Sequence, residues 1–294
     1  MIQIQQLRKQ FGEKVAVDID NFHIKKGDML GLVGNNGAGK TTLFRLILDL
    51  LNADTGDVQL TFNPTTQPEH PVATLQPTAL CVNPALSEEW KQYTGAYIDE
   101  GFLIDFLTPD EYFAFIARVC GVPEVELEER LKPYQNFMAG ELLGQKKLIR
   151  DLSAGNKQKV GIVAALINRP QLLILDEPFN FLDPTSQHQL KQLLGEYHRQ
   201  YGATMLISSH NIDHTTHIST RIALMENGRT LQDIDNHHHE ATEILARYFN
   251  VEPRDMVEQL SIPPQPTTSE TPRETTSPSY MPLTPPPYDP NRMP

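Results

Sequence analysis

The sequence predicts an α/β protein, and three observations carry that reading. Strand-like and helix-like segments alternate along the body of the chain. A short apolar run, Met29 to Val33, leads straight into a Gly-rich loop and a helical stretch. A second run, Leu172 to Leu175, is apolar at every position, as in a strand buried on both faces, and it ends in two acids.

Each element has a local reason. A helix is expected from Gly39 to about Leu50, and Gly56 to Phe62 alternates like a strand. Residues 63–95 contain Pro64, Pro68, Pro71, Pro77 and Pro84 and are expected to be irregular, with a short helix over Leu86 to Tyr93 that packs Trp90 inward. Thr108-Pro109-Asp110-Glu111 opens a helix: Thr108 caps, Pro109 suits the first helical position and Glu111 completes a capping box. That helix ends near Gly121. Asp183-Pro184 caps another, ending near Gly202, and Ala203 to Ser208 is the next strand. Ile222 to Met225 and Arg229 to Ile234 flank Asn227-Gly228, a hairpin turn. Glu240 to Phe249 is the last helix. From Ser261 to Pro294 the composition changes: 11 of the 23 prolines fall in these 34 residues, none of which is Gly. Such a segment buries too little surface to offset its ordering entropy, so a disordered, partly polyproline-II tail is expected. Its Pro285-Pro286-Pro287-Tyr288 matches a WW-domain docking motif, a match that Pro-rich tails produce incidentally.

Composition excludes several classes. The 294 residues hold 25 Lys+Arg against 37 Asp+Glu, a net charge of −12. This argues against a nucleic-acid partner and a polybasic membrane-surface protein. Cys81 and Cys120 are far apart, so no disulfide framework or Cys-based zinc site is expected, which fits a reducing cytosol. No apolar run reaches the roughly 20 residues that span a bilayer, and the start, Met1-Ile2-Gln3-Ile4, lacks the layout of a signal peptide.

Two motifs carry chemistry. Gly34-Asn35-Asn36-Gly37-Ala38-Gly39-Lys40-Thr41 fits the phosphate-binding pattern G-x-x-x-x-G-K-[ST] without mismatch. Glycines let the backbone wrap a polyphosphate with N–H groups pointing inward, and the helix N-terminus adds a positive dipole end. Lys40 is placed to reach the β- and γ-phosphates, and Thr41, followed by Thr42, to offer a hydroxyl to Mg2+. The second motif is Leu172-Leu173-Ile174-Leu175-Asp176-Glu177-Pro178. Carboxylates at the C-terminal end of a parallel strand sit where ligands bind in open α/β sheets. Asp176 is the candidate metal ligand and Glu177 the candidate base that polarises an attacking water.

Leu152-Ser153-Ala154-Gly155-Asn156-Lys157-Gln158-Lys159 resembles the LSGGQ signature of ATP-binding cassette (ABC) proteins. The order of phosphate loop, signature, acidic strand and Ser208-Ser209-His210 agrees with that family over roughly residues 1–250, and the set looks most like bacterial exporter-type ATPases. The resemblance implies a RecA-like P-loop NTPase core with an N-terminal antiparallel β subdomain and an inserted helical subdomain over about 102–160. A C-terminal extension of 251–294 would follow. It implies an ATPase that binds ATP and Mg2+ in a head-to-tail dimer, homo- or heteromeric. A separately encoded membrane permease would hold it at the cytoplasmic face of the inner membrane, with no nucleic acid bound. The alternative is a soluble, non-transport ABC ATPase. By the same resemblance, Phe11 stacks on adenine, Ser153 and Gly155 touch the γ-phosphate bound by the partner subunit, Asp183 communicates across the dimer and His210 contacts the γ-phosphate. Glu100 falls where the family usually has a Gln that contacts Mg2+ or the attacking water. Ala154 and Asn156 depart from the consensus Gly and Gln. His210, His214 and His217 have metal-ligand spacing, but His210 already has a role and no metal is expected there. His237-His238-His239 reads as a solvated run.

Overall fold

The computed structural model describes residues 1–64, 79–237 and 240–249. Two sheets organise the chain. The first is antiparallel and built from β1 (Ile2–Phe11), β2 (Lys14–Ile24), β4 (Thr55–Phe62) and β5 (Leu80–Val82), in the order β2-β1-β4-β5. Strict alternation buries Ile2 and Ile4 and then breaks: the register against β4 slips between Gln5 and Arg8, and Gln6 takes φ 48. This bulge returns Leu7 to the buried face, where a flat strand would expose it.

The second sheet is formed by β3 (Met29–Val33), β6 (Thr94–Tyr97), β7 (Leu172–Leu175), β8 (Thr204–Ser209), β9 (Arg221–Glu226) and β10 (Arg229–Asp235), ordered β10-β9-β3-β8-β7-β6. It is parallel except for β10, which pairs antiparallel with β9. Asn227 and Gly228, with φ of 50 and 80, make the turn between these two, as a type I′ hairpin requires. The apolar run of β7 feeds two cores. Leu173 and Leu175 pack with the helices on one face, and Leu172 and Ile174 pack toward the antiparallel sheet on the other. A polar residue at any of the four positions would therefore lie in an apolar layer, which explains the uninterrupted run.

The helices are α1 (Lys40–Ile47), α2 (Pro109–Val119), α3 (Glu124–Leu131), α4 (Gln135–Met138), α5 (Ala154–Leu166), α6 (Pro184–Tyr201), α7 (Ile212–Ile218) and α8 (Ala241–Phe249). The capping box of α2 forms as expected: Glu111 N donates to Thr108 Oγ1 at 3.3 Å, and Thr108 N donates to Glu111 Oε2 at 2.8 Å. Gly202, at φ 60, ends α6. Three expectations need correction. Helix α1 ends at Ile47 rather than Leu50, because Asp49 turns left-handed (φ 52) and Leu50 N closes the end onto the Arg45 carbonyl at 2.8 Å. Residues 63–95 are not irregular throughout, since β5 extends the antiparallel sheet and β6 starts at Thr94. The short helix around Trp90 is a single 3-10 turn, Glu89–Tyr93, and the indole is buried as expected. The expected helical subdomain, about 102–160, holds α2 to α4 and the first half of α5, whose second half lies against β6 and β7. Among the described residues no helix is long and apolar enough to cross a membrane. The Pro-rich segment from Ser261 onward and most of the His237–His239 run lie outside the described residues.

Candidate active site

Strands β3, β8 and β7 are immediate neighbours, so the loops leaving their C-terminal ends converge. The loop after β3 carries residues 34–39, the end of β7 carries Asp176 and Glu177, and β8 ends in Ser208 and Ser209, followed by His210. Asn35, Asn36 and Gly37 form an exposed crest, while Gly34, Ala38, Gly39 and Lys40 are buried beneath it. Gly39 has φ 109, and a Cβ there would lie 2.2 Å from the Ala16 carbonyl, so no other residue fits. Ala38 accepts a hydrogen bond from Gly228 N at 2.9 Å, tying the loop to the β9–β10 hairpin.

The polar groups form one network. Lys40 Nζ donates to the Gly34 carbonyl at 2.6 Å and lies 3.7 Å from Glu177 Oε1. Thr41 Oγ1 donates to Asp176 Oδ2 at 2.5 Å, and Ser208 Oγ donates to Asp176 Oδ1. Ser208 Oγ also accepts from Glu177 N at 2.8 Å. Glu177 Oε2 accepts from His210 twice, from N at 3.2 Å and from Nδ1 at 2.8 Å. A carboxylate only accepts, so Nδ1 is the protonated nitrogen in this contact and Nε2 is left for another partner. Glu177 itself sits at φ 47, a left-handed conformation held by Ser208 on its N–H and by Gln158 Nε2, which donates to its carbonyl at 3.1 Å.

Burial pushes the Asp176 carboxyl up from the usual carboxylate range. The hydrogen bonds from Ser208 and Thr41 pull it back, the Glu177 charge pushes it up further and Lys40 pulls it down. A buried carboxylate beside a hydroxyl, short of positive charge, suits a hard divalent cation with oxygen ligands. Among the described residues no three His, Cys, Asp or Glu side chains are grouped as a metal cage. The donor set therefore fits Mg2+ that draws most of its ligands from a bound polyphosphate and water.

The remaining candidates lie around this centre. Phe11 is 51% exposed, so it is not a core residue; its ring faces Lys9 Nζ at 5.6 Å and is free to stack on a ligand. Thr42 is half-buried on the first turn of α1. Ser153 is exposed and caps α5 by accepting from Asn156 N at 3.3 Å. Gly155 lies against the backbone of Phe181, whose carbonyl oxygen would be 2.6 Å from an added Cβ. Asp183 caps α6, accepting from Ser186 N at 3.0 Å and Ser186 Oγ at 2.5 Å, and these bonds hold its carboxyl below the usual range. Glu100 stands apart. Among the described hydrogen bonds and ion pairs it meets Lys157 Nζ at 3.2 Å, and it joins neither Thr41 nor the Asp176–Glu177 pair. Reasoning from sequence missed Ser208 and Gln158. Ser208 was detectable as a hydroxyl at the end of an apolar strand beside His210; Gln158 had no local signal. The three histidines diverge: His210 turns to Glu177, His214 packs on the Phe179 ring at 4.8 Å, and His217 is exposed.

The chain as a whole is similar to known proteins. Residues 17–180, more than half of the chain, match the family described as ABC transporter. The bacitracin transport ATP-binding protein BcrA of Enterococcus faecalis is 31% identical over 236 residues, which is 80% of this chain and 69% of that protein. The methionine import ATP-binding protein MetN of Carboxydothermus hydrogenoformans is 32% identical over 218 residues, covering 74% of this chain and 60% of MetN. A dimeric ATP-binding cassette solved in a post-hydrolysis state with ADP and phosphate bound superposes with a TM-score of 0.64. It covers 80% of this chain and 98% of its own at 20% identity, a likeness of fold.

Proposed function

The chain belongs to the ABC transporter family of ATP-hydrolysing cassettes, and on that premise we propose that it is the ATPase subunit of an exporter, acting with a separately encoded permease at the cytoplasmic face of the cell membrane. The observation that supports the ATPase part of this reading is the single network joining Lys40, Thr41, Asp176, Glu177, Ser208 and His210.

Each residue then has a part in converting ATP and water to ADP and phosphate. The backbone N–H groups of residues 34–39 and the Lys40 ammonium cradle the β- and γ-phosphates, with Lys40 exchanging its Gly34 carbonyl for phosphate oxygen. Thr41 and Asp176 hold Mg2+, which when bound neutralises charge on the phosphate oxygens. Glu177 orients the attacking water and accepts its proton, while His210 steadies the Glu177 carboxylate and presents Nε2 toward the γ-phosphate. Phe11 stacks on the adenine. Ser153 and Gly155 come from a second cassette, identical or related, and close over the γ-phosphate; Asp183, capping α6, shapes the loop between the two copies. Catalysis is then mostly positioning and charge neutralisation in a closed site.

The partner reading has support of its own. An apolar cavity of about 350 Å3 opens between the end of α1, β6, α2 and α5, lined by Leu48, Trp90, Tyr97, Phe102, Leu103 and Ile116. Phe102 and Leu50 at its edge are 53% and 48% exposed, which suits a short apolar segment of a permease. Trp90 comes from the 63–95 stretch, linking that stretch to partner choice. The export direction follows the likeness to the Nod factor export ATP-binding protein I of Burkholderia thailandensis, 28% identical over 236 residues, over the likeness to an import ATPase, and the direction of transport in vesicles decides between them.

Affinity purification of the tagged chain from detergent-solubilised membranes tests the reading. An integral membrane protein should co-purify, and inverted vesicles holding the pair should accumulate substrate only with hydrolysable ATP. Recovery with ribosomes or DNA instead would establish the soluble, non-transport alternative.

A further inference from the structure

Just beyond the end of β6 come two acids, Asp99 and Glu100, whose partners lie on two different helices. Arg45, on the phosphate-loop helix α1, donates from Nη2 to Asp99 Oδ2 at 3.1 Å. Lys157, on the signature helix α5, places Nζ 3.2 Å from Glu100 Oε2. The backbone between them is fixed: Asp99 Oδ1 accepts from Gly101 N at 2.8 Å, and the Tyr97 carbonyl accepts from Asp176 N at 2.9 Å. The acids are thus sewn to the strand end that bears the catalytic carboxylates. We propose that Asp99 and Glu100 form a two-armed clamp that sets α5 relative to α1, with Arg45 and Lys157 as its anchors and all four as positioning residues for ATP hydrolysis.

The physical argument has three parts. Lys157 N bonds back to the Ser153 carbonyl at 2.9 Å, so the anchor and the signature serine are one helical turn apart, and a displacement of Lys157 is transmitted to Ser153. The Lys157 ammonium meets the Glu100 carboxylate at 3.2 Å, and a neutral amide at position 100 would leave Lys157 without this charged partner. The Glu100 and Lys157 side chains are 59% and 23% exposed, and an ion pair that exposed contributes little to folding. It therefore biases a position without locking it, as a joint that must move during a cycle requires. The same turn continues into Phe102 and Leu103, which line the apolar cavity, so an occupant of that cavity would bear directly on the clamp.

This inference rests on the proposed composite site, so the test includes a reference variant for that reading. MgATP hydrolysis by the full chain is measured for Glu100→Lys, Lys157→Glu, both together, and Lys40→Ala. Each single reversal should lower kcat about three- to fivefold, the ratio expected for losing an exposed ion pair, with KM for MgATP changed less than twofold because α1 is untouched. The double reversal should recover most of the loss, since the pair is restored with opposite polarity. Thermal unfolding of all three reversals should stay close to the parent. Loss of hydrolysis in Lys40→Ala together with no recovery in the double reversal, or with single reversals that leave kcat unchanged, would overturn the clamp alone. Undiminished hydrolysis in Lys40→Ala would overturn the site reading and the clamp with it. A Glu100 that acted directly on water or metal would predict the opposite of rescue, a double reversal at least as impaired as Glu100→Lys.

Discussion

Replacing Ser208 by Ala removes one oxygen and breaks two contacts. Ser208 is fully buried; its hydroxyl donates to Asp176 Oδ1 and accepts from Glu177 N at 2.8 Å. The first is a hydrogen bond to a charged group, worth about 1.5–3 kcal/mol, and the second an ordinary one of about 1 kcal/mol. Thr41 still holds the other Asp176 oxygen at 2.5 Å, so the carboxylate is not stripped bare and the total should be near 3 kcal/mol. For a chain of this size that corresponds to a fall of roughly 6–12 °C in the unfolding midpoint. The loss should depend on pH. Burial already raises the Asp176 pKa, and Ser208 is the strongest of the groups that lower it, so the variant raises it further. A carboxyl whose folded pKa exceeds its unfolded one binds more protons when folded, and stability falls as pH rises between the two values. The deficit of the variant should accordingly be smallest in acid and full at neutral pH. Hydrolysis should fall as well, because the left-handed Glu177 backbone loses the partner of its N–H. Thermal denaturation at pH 5 and pH 7.5, alongside steady-state hydrolysis, measures both effects. Ser209→Ala serves as the comparison: among the described bonds its hydroxyl accepts one, from Asn211 N at 3.0 Å, and its loss should cost about 1 kcal/mol. Equal midpoints for Ser208→Ala and the parent, or equal losses for the two serines, would refute the reasoning.

Other outcomes follow from the same geometry. Glu177→Gln keeps the shape of the side chain but removes the base, so kcat should fall about 10^2–10^4-fold while MgATP still binds, measured by single-turnover hydrolysis and nucleotide retention. Gly155→Ala pushes a methyl group to 2.6 Å from the Phe181 carbonyl; the shift should destabilise by about 1–3 kcal/mol in denaturant titration and impair hydrolysis. Burial pushes His214 down to about 4, so the folded protein takes up fewer protons there than the unfolded chain between pH 6.5 and 4; stability should fall as pH drops through that window, and His214→Phe should flatten the slope by up to one proton. Thr108→Ala should lose about 1 kcal/mol with the cap of α2 and leave hydrolysis unchanged.

What the sequence disclosed depended on how local the cause was. The phosphate loop, the α2 capping box, the Asn227-Gly228 turn and the β7 run are each determined by a few adjacent residues, and they stand where pattern put them. The end of α1 was misjudged because Asp49, not a glycine, makes its left-handed turn. β5 was invisible because three residues, Leu80–Val82, gain strand character only by pairing with Leu60, Thr61 and Phe62. Within the site, motif residues were readable one by one, but Ser208, Gln158 and the Glu100–Lys157 pair are defined by contacts across 31, 19 and 57 positions (177 to 208, 158 to 177, 100 to 157). Only the folded sheet brings those positions together.

The strand order has a consequence for the birth of the molecule. β3 lies between β8 and β9, so Leu30 is paired with Leu206 and with Arg221, the nearer of which follows by 206 − 30 = 176 residues. At about 5–20 residues per second, translation leaves β3 without either neighbour for roughly 10–35 s. For most of that interval, until Asp176 and Glu177 are made, a bare apolar strand and the phosphate-loop sequence have been synthesised without the acids that consume the nucleotide. The nascent chain therefore has a long period of aggregation risk, in which chaperone protection is most valuable. It also has a built-in safeguard, because hydrolysis must wait until synthesis has passed Asp176, Glu177 and His210, all in the last third of the cassette.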